Sequence, residues 1–299
     1  MGYRDYPVQI LIDVGVPLVT WLLMLAVGTD LRVADFVSVG KRPLLLIAGL
    51  VVPSTLLPLL AVGLLRLFSP PEAIEAGLLL IAVCPIGGAS NTYSYLARAS
   101  TALSVTLTGL SCLLAVFTIP LSALLLEFLL GRPFGLQVPG RLLVQQLTLM
   151  ITTPIVVGML FRKWRPEGVE RRRDLFQALG FAGVLVMVVL VISNDVQGFW
   201  DNLGITVPLA TAFVIGSFAI GLTIALSSWA SDRDSFTLAS EFATRNVAVA
   251  TAIAVTLMGR VGFALFATTY LLTELPLMLI AVLVFRSRLF SSQTARESR

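Results

Sequence analysis

The sequence predicts an all-α polytopic membrane protein. Three observations predict this fold class: 57% of the 299 residues are hydrophobic, only 13% are charged, and long uncharged stretches recur along the chain. A soluble domain carries about a quarter charged residues, and about twenty apolar residues span a bilayer as a helix. The stretches are continuously apolar rather than alternating. This pattern favours helices over the strands of a barrel, the other structure that satisfies its backbone in lipid.

Composition also limits the chemistry. Histidine is absent, which excludes imidazole proton relays, histidine metal sites and a Ser-His-Asp triad. Both cysteines, Cys84 and Cys112, fall inside apolar stretches and are expected to be buried free thiols. No nucleophile with a neighbouring base is evident, so the sequence predicts a protein that is not an enzyme.

Apolar runs read against Pro, Gly and charge predict nine crossings. The first has no clear small-residue cleavage site and is long enough to span, so we expect it to be retained. The predicted crossings lie near 8–28, 43–68, 73–98, 100–130, 140–161, 175–195, 203–230, 233–258 and 262–286.

The placement of basic residues predicts an orientation. With the N-terminus outside, fifteen of the 21 Lys and Arg residues fall inside and five outside, while Arg245 remains in the membrane. Cytoplasmic loops carry this excess, so the C-terminus is expected in the cytoplasm and the protein in a cell membrane, with the bacterial inner membrane as the expected location. The net charge of +4 then reflects loops facing anionic headgroups, and no nucleic-acid partner is expected.

Two predicted crossings contain interruptions. In the third, Pro85, Gly87 and Gly88 stand at mid-membrane and polar residues follow, which predicts a broken helix. In the eighth, the ionisable Glu241 and Arg245 separate two apolar halves, each too short to span alone. Paired interrupted helices point to a transporter site. A packing kink filled by small residues is the alternative, but buried ionisable groups are too costly in lipid to favour it.

Three segments carry a resemblance to a known family. The chain resembles the bile acid:sodium symporter family along essentially its whole length, in Leu25–Leu31 with Asp35 and Phe36, in Pro85–Asn91 continuing through Tyr95–Arg98 to Ser104 and Thr108, and in Glu241–Asn246.

The resemblance implies an inverted-repeat transporter with two crossed discontinuous helices. It implies a panel domain at about 8–28, 140–161 and 175–195 and a core domain at about 43–130 and 203–286, within one transporter domain over 1–299. Family members carry bile acids, sulfated steroids, pantoate and other organic anions. Bacterial members usually have ten spans, so this chain is expected to begin at the family's second span, leaving the fifth unpaired between two repeats of four.

The resemblance also implies a sodium site on Ser90, Asn91, Ser104, Thr108 and Glu241. The chemistry agrees, because sodium is a hard cation that prefers oxygen ligands. Taken alone, Ser104 and Thr108 would be expected to bond their own helix instead. The substrate is expected to dock beside four residues at the two interruptions, namely Gly87, Gly88, Arg245 and Asn246.

A second sodium site of the family fits poorly. Pro53 and Arg245 stand where the family has two glutamines; proline has no side-chain oxygen, and arginine offers donors only. Three hypotheses remain open. The guanidinium replaces the second sodium and pairs with Glu241 at i, i+4; it binds the substrate's carboxylate or sulfate; or the two residues form a structural pair and sodium is not used.

These observations predict a secondary active transporter that imports a small organic anion with sodium, one ion at most. A proton-coupled carrier using Glu241 or Glu274, an uncoupled carrier, and a sensor that retains the carrier fold are the alternatives. The expected partners are the anion and the lipid bilayer, with no required protein partner.

Overall fold

The computed structural model describes residues 6–32, 43–133, 140–228 and 230–297, and these residues are helical almost throughout. The helices, in chain order, are α1 Tyr6–Asp30, α2 Pro43–Leu50, α3 Pro53–Phe68, α4 Glu72–Val83, α5 Ala89–Leu96, α6 Thr101–Leu130, α7 Gly140–Leu147, α8 Thr153–Trp164, α9 Pro166–Arg171, α10 Arg173–Asn194, α11 Val196–Ser227, α12 Asp232–Ala243, α13 Val247–Ala252 and α14 Ala264–Glu297. Short π-helical turns extend α7 and α13, at Thr148–Thr152 and Ile253–Leu257.

The predicted membrane fold is confirmed. Within the described residues, six helical segments are long and apolar enough to cross a bilayer: Ile10–Asp30, Pro43–Phe68, Thr101–Leu130, Gly140–Trp164, Val196–Ser227 and Val261–Ser287. The protein is therefore a multi-pass membrane protein. Large apolar side chains such as Phe128 and Leu67 are exposed on the outer surface, as a lipid environment requires.

Each of the nine predicted segments contains helix. The third segment is divided into α4 and α5 and the eighth into α12 and α13, while the sixth contains a shorter apolar helix, Ala178–Asn194. The second segment consists of α2 and α3, which together are long enough to cross a bilayer. The count of nine crossings and the orientation stay predictions. Asp35 and Phe36 of the family resemblance, and Arg4, Lys41, Arg42 and Arg299 of the charge count, lie outside the described residues.

Helix α1 packs against α8 and α10. Its contact with α8 is close because glycines face each other's backbone. A Cβ built on Gly28 would lie 2.2 Å from the carbonyl oxygen of Ile155, and one on Gly158 would lie 2.3 Å from that of Leu25. Small residues that let backbones approach are a common means of helix association in lipid, where the hydrophobic effect does not drive it.

Several other helices pack against the two interrupted ones. Helix α11 packs along α12 and α14, and α3 packs on α4 and α6. Every residue of α12 from Asp234 to Ala243 is buried, as is every residue of α4 from Ala76 to Val83. The interruptions therefore lie inside the protein, where unwound backbone can find partners other than lipid.

Candidate functional site

The two interruptions meet and pair through their backbones. Ile86, between α4 and α5, and Arg245, between α12 and α13, form an isolated antiparallel β-bridge. The N–H of Gly87 donates to the carbonyl of Thr244 at 3.0 Å, and the N–H of Asn246 donates to that of Pro85 at 2.9 Å. Each break therefore satisfies polar groups freed by the other. The predicted crossing of two discontinuous helices is confirmed.

Two adjacent glycines have different surroundings at this crossing. A Cβ on Gly87 would lie 2.6 Å from the carbonyl oxygen of Arg245, closer than real Cβ contacts, whereas one on Gly88 would meet nothing within 4 Å. Gly87 is buried and Gly88 is exposed. Gly87 thus permits the close approach of the two chains, and Gly88 faces open space.

Side chains complete the backbone pairing at the second break. The Asn246 amide oxygen accepts from the N–H of Val249 at 3.1 Å and caps α13. The Tyr270 hydroxyl on α14 donates to the carbonyl of Ala243 and accepts from the N–H of Arg245. These bonds hold the unwound segment in one conformation, since buried backbone groups are costly when unpaired.

All five residues predicted to bind sodium lie together beside the crossing. Ser90 and Asn91 come from α5, Ser104 and Thr108 from α6, and Glu241 from α12. The Ser104 hydroxyl contacts the Glu241 carboxylate, and it lies 2.9 Å from the Asn91 amide oxygen. The Thr108 hydroxyl lies 3.1 Å from the other Glu241 oxygen and 3.2 Å from the Ser90 hydroxyl.

We call these five side chains the oxygen cluster. Four of them, all except Asn91, are at most 1% exposed. The cluster presents six oxygens but only three hydroxyl protons, and the Ser90 hydroxyl also lies 2.9 Å from the carbonyl of Gly87. Oxygens therefore outnumber hydroxyl protons at a buried site, which is the arrangement that favours a hard cation.

The alternative role for the α6 hydroxyls is wrong. Ser104 and Thr108 have hydrogen-bond partners on α5 and α12, whereas their neighbour Thr106 bonds its own helix at the Ala102 carbonyl, 2.8 Å away. That these oxygens bind sodium stays a prediction.

Arg245 does not pair with Glu241, so that prediction is wrong. Helix α12 ends at Ala243, and Thr244 is extended, so residues 241 and 245 do not share a helical face. The guanidinium Nη2 instead donates to the carbonyl of Cys84, and its Nε and Nη1 have no hydrogen-bond partner among the described residues. Arg245 lines a small cavity together with Pro53, the other residue at the expected second site.

A second buried carboxylate makes contacts that the sequence does not predict. Glu274 on α14 is 1% exposed; it accepts a hydrogen bond from the Thr244 hydroxyl at 2.9 Å and one from the Tyr93 hydroxyl at 3.4 Å. It therefore connects α5, the second break and α14. Two polar residues in the sequence could have indicated these contacts: Thr244, within the Glu241–Asn246 motif, and Tyr93, after the first break.

Another contact that the sequence did not indicate connects α12 to the start of α6. The backbone N–H of Ser100 donates to the Thr237 hydroxyl at 3.0 Å, and the Ser100 hydroxyl contacts the Asp234 carboxylate.

Cys84 and Cys112 are free and buried, as predicted.

This geometry defines a class of protein. It is a helical membrane protein in which a buried polar site forms where two interrupted helices cross. The sequence profile of the Sodium Bile acid symporter family matches residues 17–201, which is more than half of the chain. The chain belongs to that family. The match includes the α5 and α6 residues of the oxygen cluster, and Glu241 lies beyond it.

Curated relatives agree with this membership. The "Uncharacterized sodium-dependent transporter YocS" of Bacillus subtilis is 30% identical over 174 residues, which cover 58% of this chain and 53% of the relative. The "Probable sodium/metabolite cotransporter BASS1, chloroplastic" of rice, Oryza sativa subsp. japonica, is 26% identical over 226 residues, covering 75% of this chain and 54% of the relative. The chain thus spans about half the length of these relatives.

Proposed function

We propose that this protein is a secondary active transporter that imports a small organic anion together with sodium. The observation that carries the proposal is the oxygen cluster, in which side chains from three helices converge on one buried point beside the crossing. Relatives named as a sodium-dependent transporter and a sodium/metabolite cotransporter support it. A transporter is favoured over an enzyme by the same names.

The sodium ion binds among Ser90, Asn91, Ser104, Thr108 and Glu241. Each side chain supplies an oxygen, and Glu241 supplies the one negative charge, so the loaded site is nearly neutral. Binding one ion replaces hydrogen bonds among these oxygens with contacts to a cation. The ion therefore stabilises the juxtaposition of α5, α6 and α12.

The anion docks where the crossing is open. Of the four residues predicted to contact substrate, Gly88 is exposed, and Gly87, Arg245 and Asn246 are buried. Gly88 immediately precedes α5, and the helix dipole favours a negative group at this end. The substrate class is a bile-acid-like, sulfated steroid or pantoate-like anion, by family resemblance.

Transport proceeds by alternating access. The panel is α1 with α7, α8 and α10, at about 8–28, 140–161 and 175–195, and the core is about 43–130 and 203–286. Support comes from the close packing of α1 on α8 and α10. Across the boundary, the Thr20 hydroxyl lies 3.2 Å from the carbonyl of Ala248. Motion of the core against the panel exposes the loaded site to the cytoplasm.

Coupling uses one sodium ion. Arg245 and Pro53 line the same cavity and offer no side-chain ligand for a second. A sodium gradient supplies about 1.4 kcal/mol per tenfold concentration ratio. One sodium with a monovalent anion is electroneutral, so the membrane potential adds nothing. In a bacterial inner membrane, with the N-terminus outside, the inward gradient would drive import.

Thermal stability of purified protein in sodium or potassium salts tests the sodium site. Sodium should raise the Tm, because a ligand that binds only the folded state stabilises it by mass action, and potassium should not. Glu241→Gln should abolish the sodium response. Glu72→Gln, at an exposed surface pair with Arg260, is the matched control and should keep it. Equal stabilisation by potassium or lithium, or an unchanged response in Glu241→Gln, would refute the site.

A proton-driven carrier is the second candidate, because Glu274 is a buried carboxylate in contact with the second break. Uptake into vesicles driven by a pH gradient without sodium, lost in Glu274→Gln, would establish it. Uptake that depends on sodium and does not respond to the pH gradient would exclude it.

A sodium titration of uptake tests the number of coupled ions. A Hill slope near one fits single-ion coupling, and a slope near two contradicts it.

A further inference from the structure

A small cavity beside the crossing contains a positive charge and, among the described residues that line it, no acidic side chain. It lies between the α2–α3 junction, the end of α4 and α6, and its described lining includes Pro53, Ser54, Ser111, Thr118 and Arg245. Arg245 is the charged residue among the described residues that line it. The guanidinium is a permanent cation with five donors and no acceptor.

Two of the three guanidinium nitrogens of Arg245 donate no hydrogen bond to the described residues. The residue is only 6% exposed, Nη2 donates to the carbonyl of Cys84, and Nε and Nη1 are buried without a partner among the described residues. A buried cation without a counter-charge costs several kcal/mol. The Arg245 side chain therefore lacks a negatively charged hydrogen-bond acceptor.

Two hydroxyls that line the same cavity do not meet this need. The Ser111 hydroxyl accepts from the N–H of Ile86 at 3.0 Å and donates to the carbonyl of Thr108 at 3.0 Å. The Ser54 hydroxyl donates to the carbonyl of Leu50 at 3.1 Å. Their protons are directed at backbone carbonyls, and neither residue carries charge.

Nor is Glu241 available as the counter-ion. Its two carboxylate oxygens are in contact with Ser104 and Thr108, in the oxygen cluster. If the proposed sodium occupies that cluster, the carboxylate charge is neutralised there. Arg245 then needs an anion of its own.

We propose that this cavity binds one small inorganic anion of halide size, held by Arg245. The cavity has room for a single occupant close to the size of a water molecule. This size favours a monoatomic ion such as chloride over a whole organic acid. The site is separate from the exposed face at Gly88, where the transported anion is proposed to dock. Chloride is thus a resident ion of the folded protein, and the cargo binds elsewhere.

Melting of the purified protein in sodium salts of different anions tests this proposal. Sodium concentration and ionic strength are held constant while chloride or bromide replaces gluconate or acetate. We expect the halides to raise the Tm by roughly 2–4 °C once they exceed their Kd several-fold. Arg245→Gln should lose this difference, and Arg245→Lys should keep part of it. Arg132→Gln, at an exposed pair with Glu75, is the matched control and should respond like the wild type.

Two further results decide the matter. Anomalous scattering from bromide within hydrogen-bond distance of the Arg245 guanidinium would locate the ion without any variant. Equal melting in chloride and gluconate would overturn the proposal, as would an unchanged halide response in Arg245→Gln. A response to acetate alone would also overturn it and assign the cavity to carboxylates. Failure here leaves the sodium response of the oxygen cluster intact, so the two proposals fail separately.

Discussion

The crossing of the two breaks depends on the absence of a side chain at Gly87, and Gly87→Ala tests that dependence. The added Cβ would lie 2.6 Å from the carbonyl oxygen and 3.0 Å from the carbonyl carbon of Arg245. An ordinary contact begins near 3.4 Å, so the two chains must separate by almost 1 Å. Both atoms belong to the backbone, which cannot move aside as a flexible side chain could.

The separation stretches the two backbone bonds across the crossing, at 3.0 and 2.9 Å. Overpacking costs about 1–3 kcal/mol, and a buried polar group left unpaired costs about 1–3 kcal/mol more. We expect the Tm of purified Gly87→Ala to fall by several degrees. Sodium affinity should fall as well, because the Ser90 hydroxyl of the oxygen cluster bonds the carbonyl of Gly87.

Thermal melting in sodium and in potassium measures both effects. Gly88→Ala is the matched control for stability, since its Cβ would meet nothing within 4 Å. If Gly87→Ala melts like Gly88→Ala and keeps its sodium response, the two chains do not approach as closely as described. The account of the crossing would then be refuted.

Two further substitutions test the hydrogen bonds around the site. Thr108→Val should weaken sodium-dependent stabilisation by about tenfold or more in Kd, because a ligand oxygen is lost, whereas Thr106→Val should not, since Thr106 bonds its own helix. A sodium titration of Tm distinguishes them, and equal responses would argue against Thr108 as a ligand. Tyr270→Phe should destabilise the protein by about 1–3 kcal/mol through the unpaired carbonyl of Ala243, measured against Tyr95→Phe at an exposed position. Equal Tm values in these two variants would contradict a structural role for the Tyr270 hydroxyl.

The helices and the two interruptions follow from local sequence. Continuous apolar stretches indicate membrane helices, and Pro85 with Gly87 and Gly88 indicates a break, because both signals depend on neighbours within a few residues. The resemblance to a family then grouped Ser90, Asn91, Ser104, Thr108 and Glu241, and the structure brings their side chains together. Periodicity alone would have left the two α6 hydroxyls bonded to their own helix.

The pairing of Arg245 with Glu241 failed for a physical reason. The i, i+4 relation holds only within a continuous helix, and the sequence itself predicts an interruption of the helix at these residues. Since α12 ends at Ala243, the arginine turns toward Pro53 and the end of α4. The contacts of Glu274 with Tyr93 and Thr244 were also beyond the sequence, because they join residues 181 and 30 positions apart.

The oxygen cluster draws Ser104 from α6 and Glu241 from α12, which are separated by 137 positions in the chain. An ion held by both would act as a reversible crosslink that closes a long loop of polypeptide. Neither half of the molecule contains the full set of ligands, so sodium binding would be coupled to the stability of the tertiary structure. Depleting sodium should therefore accelerate amide hydrogen exchange in α12 more than in the glycine-packed α1 and α8.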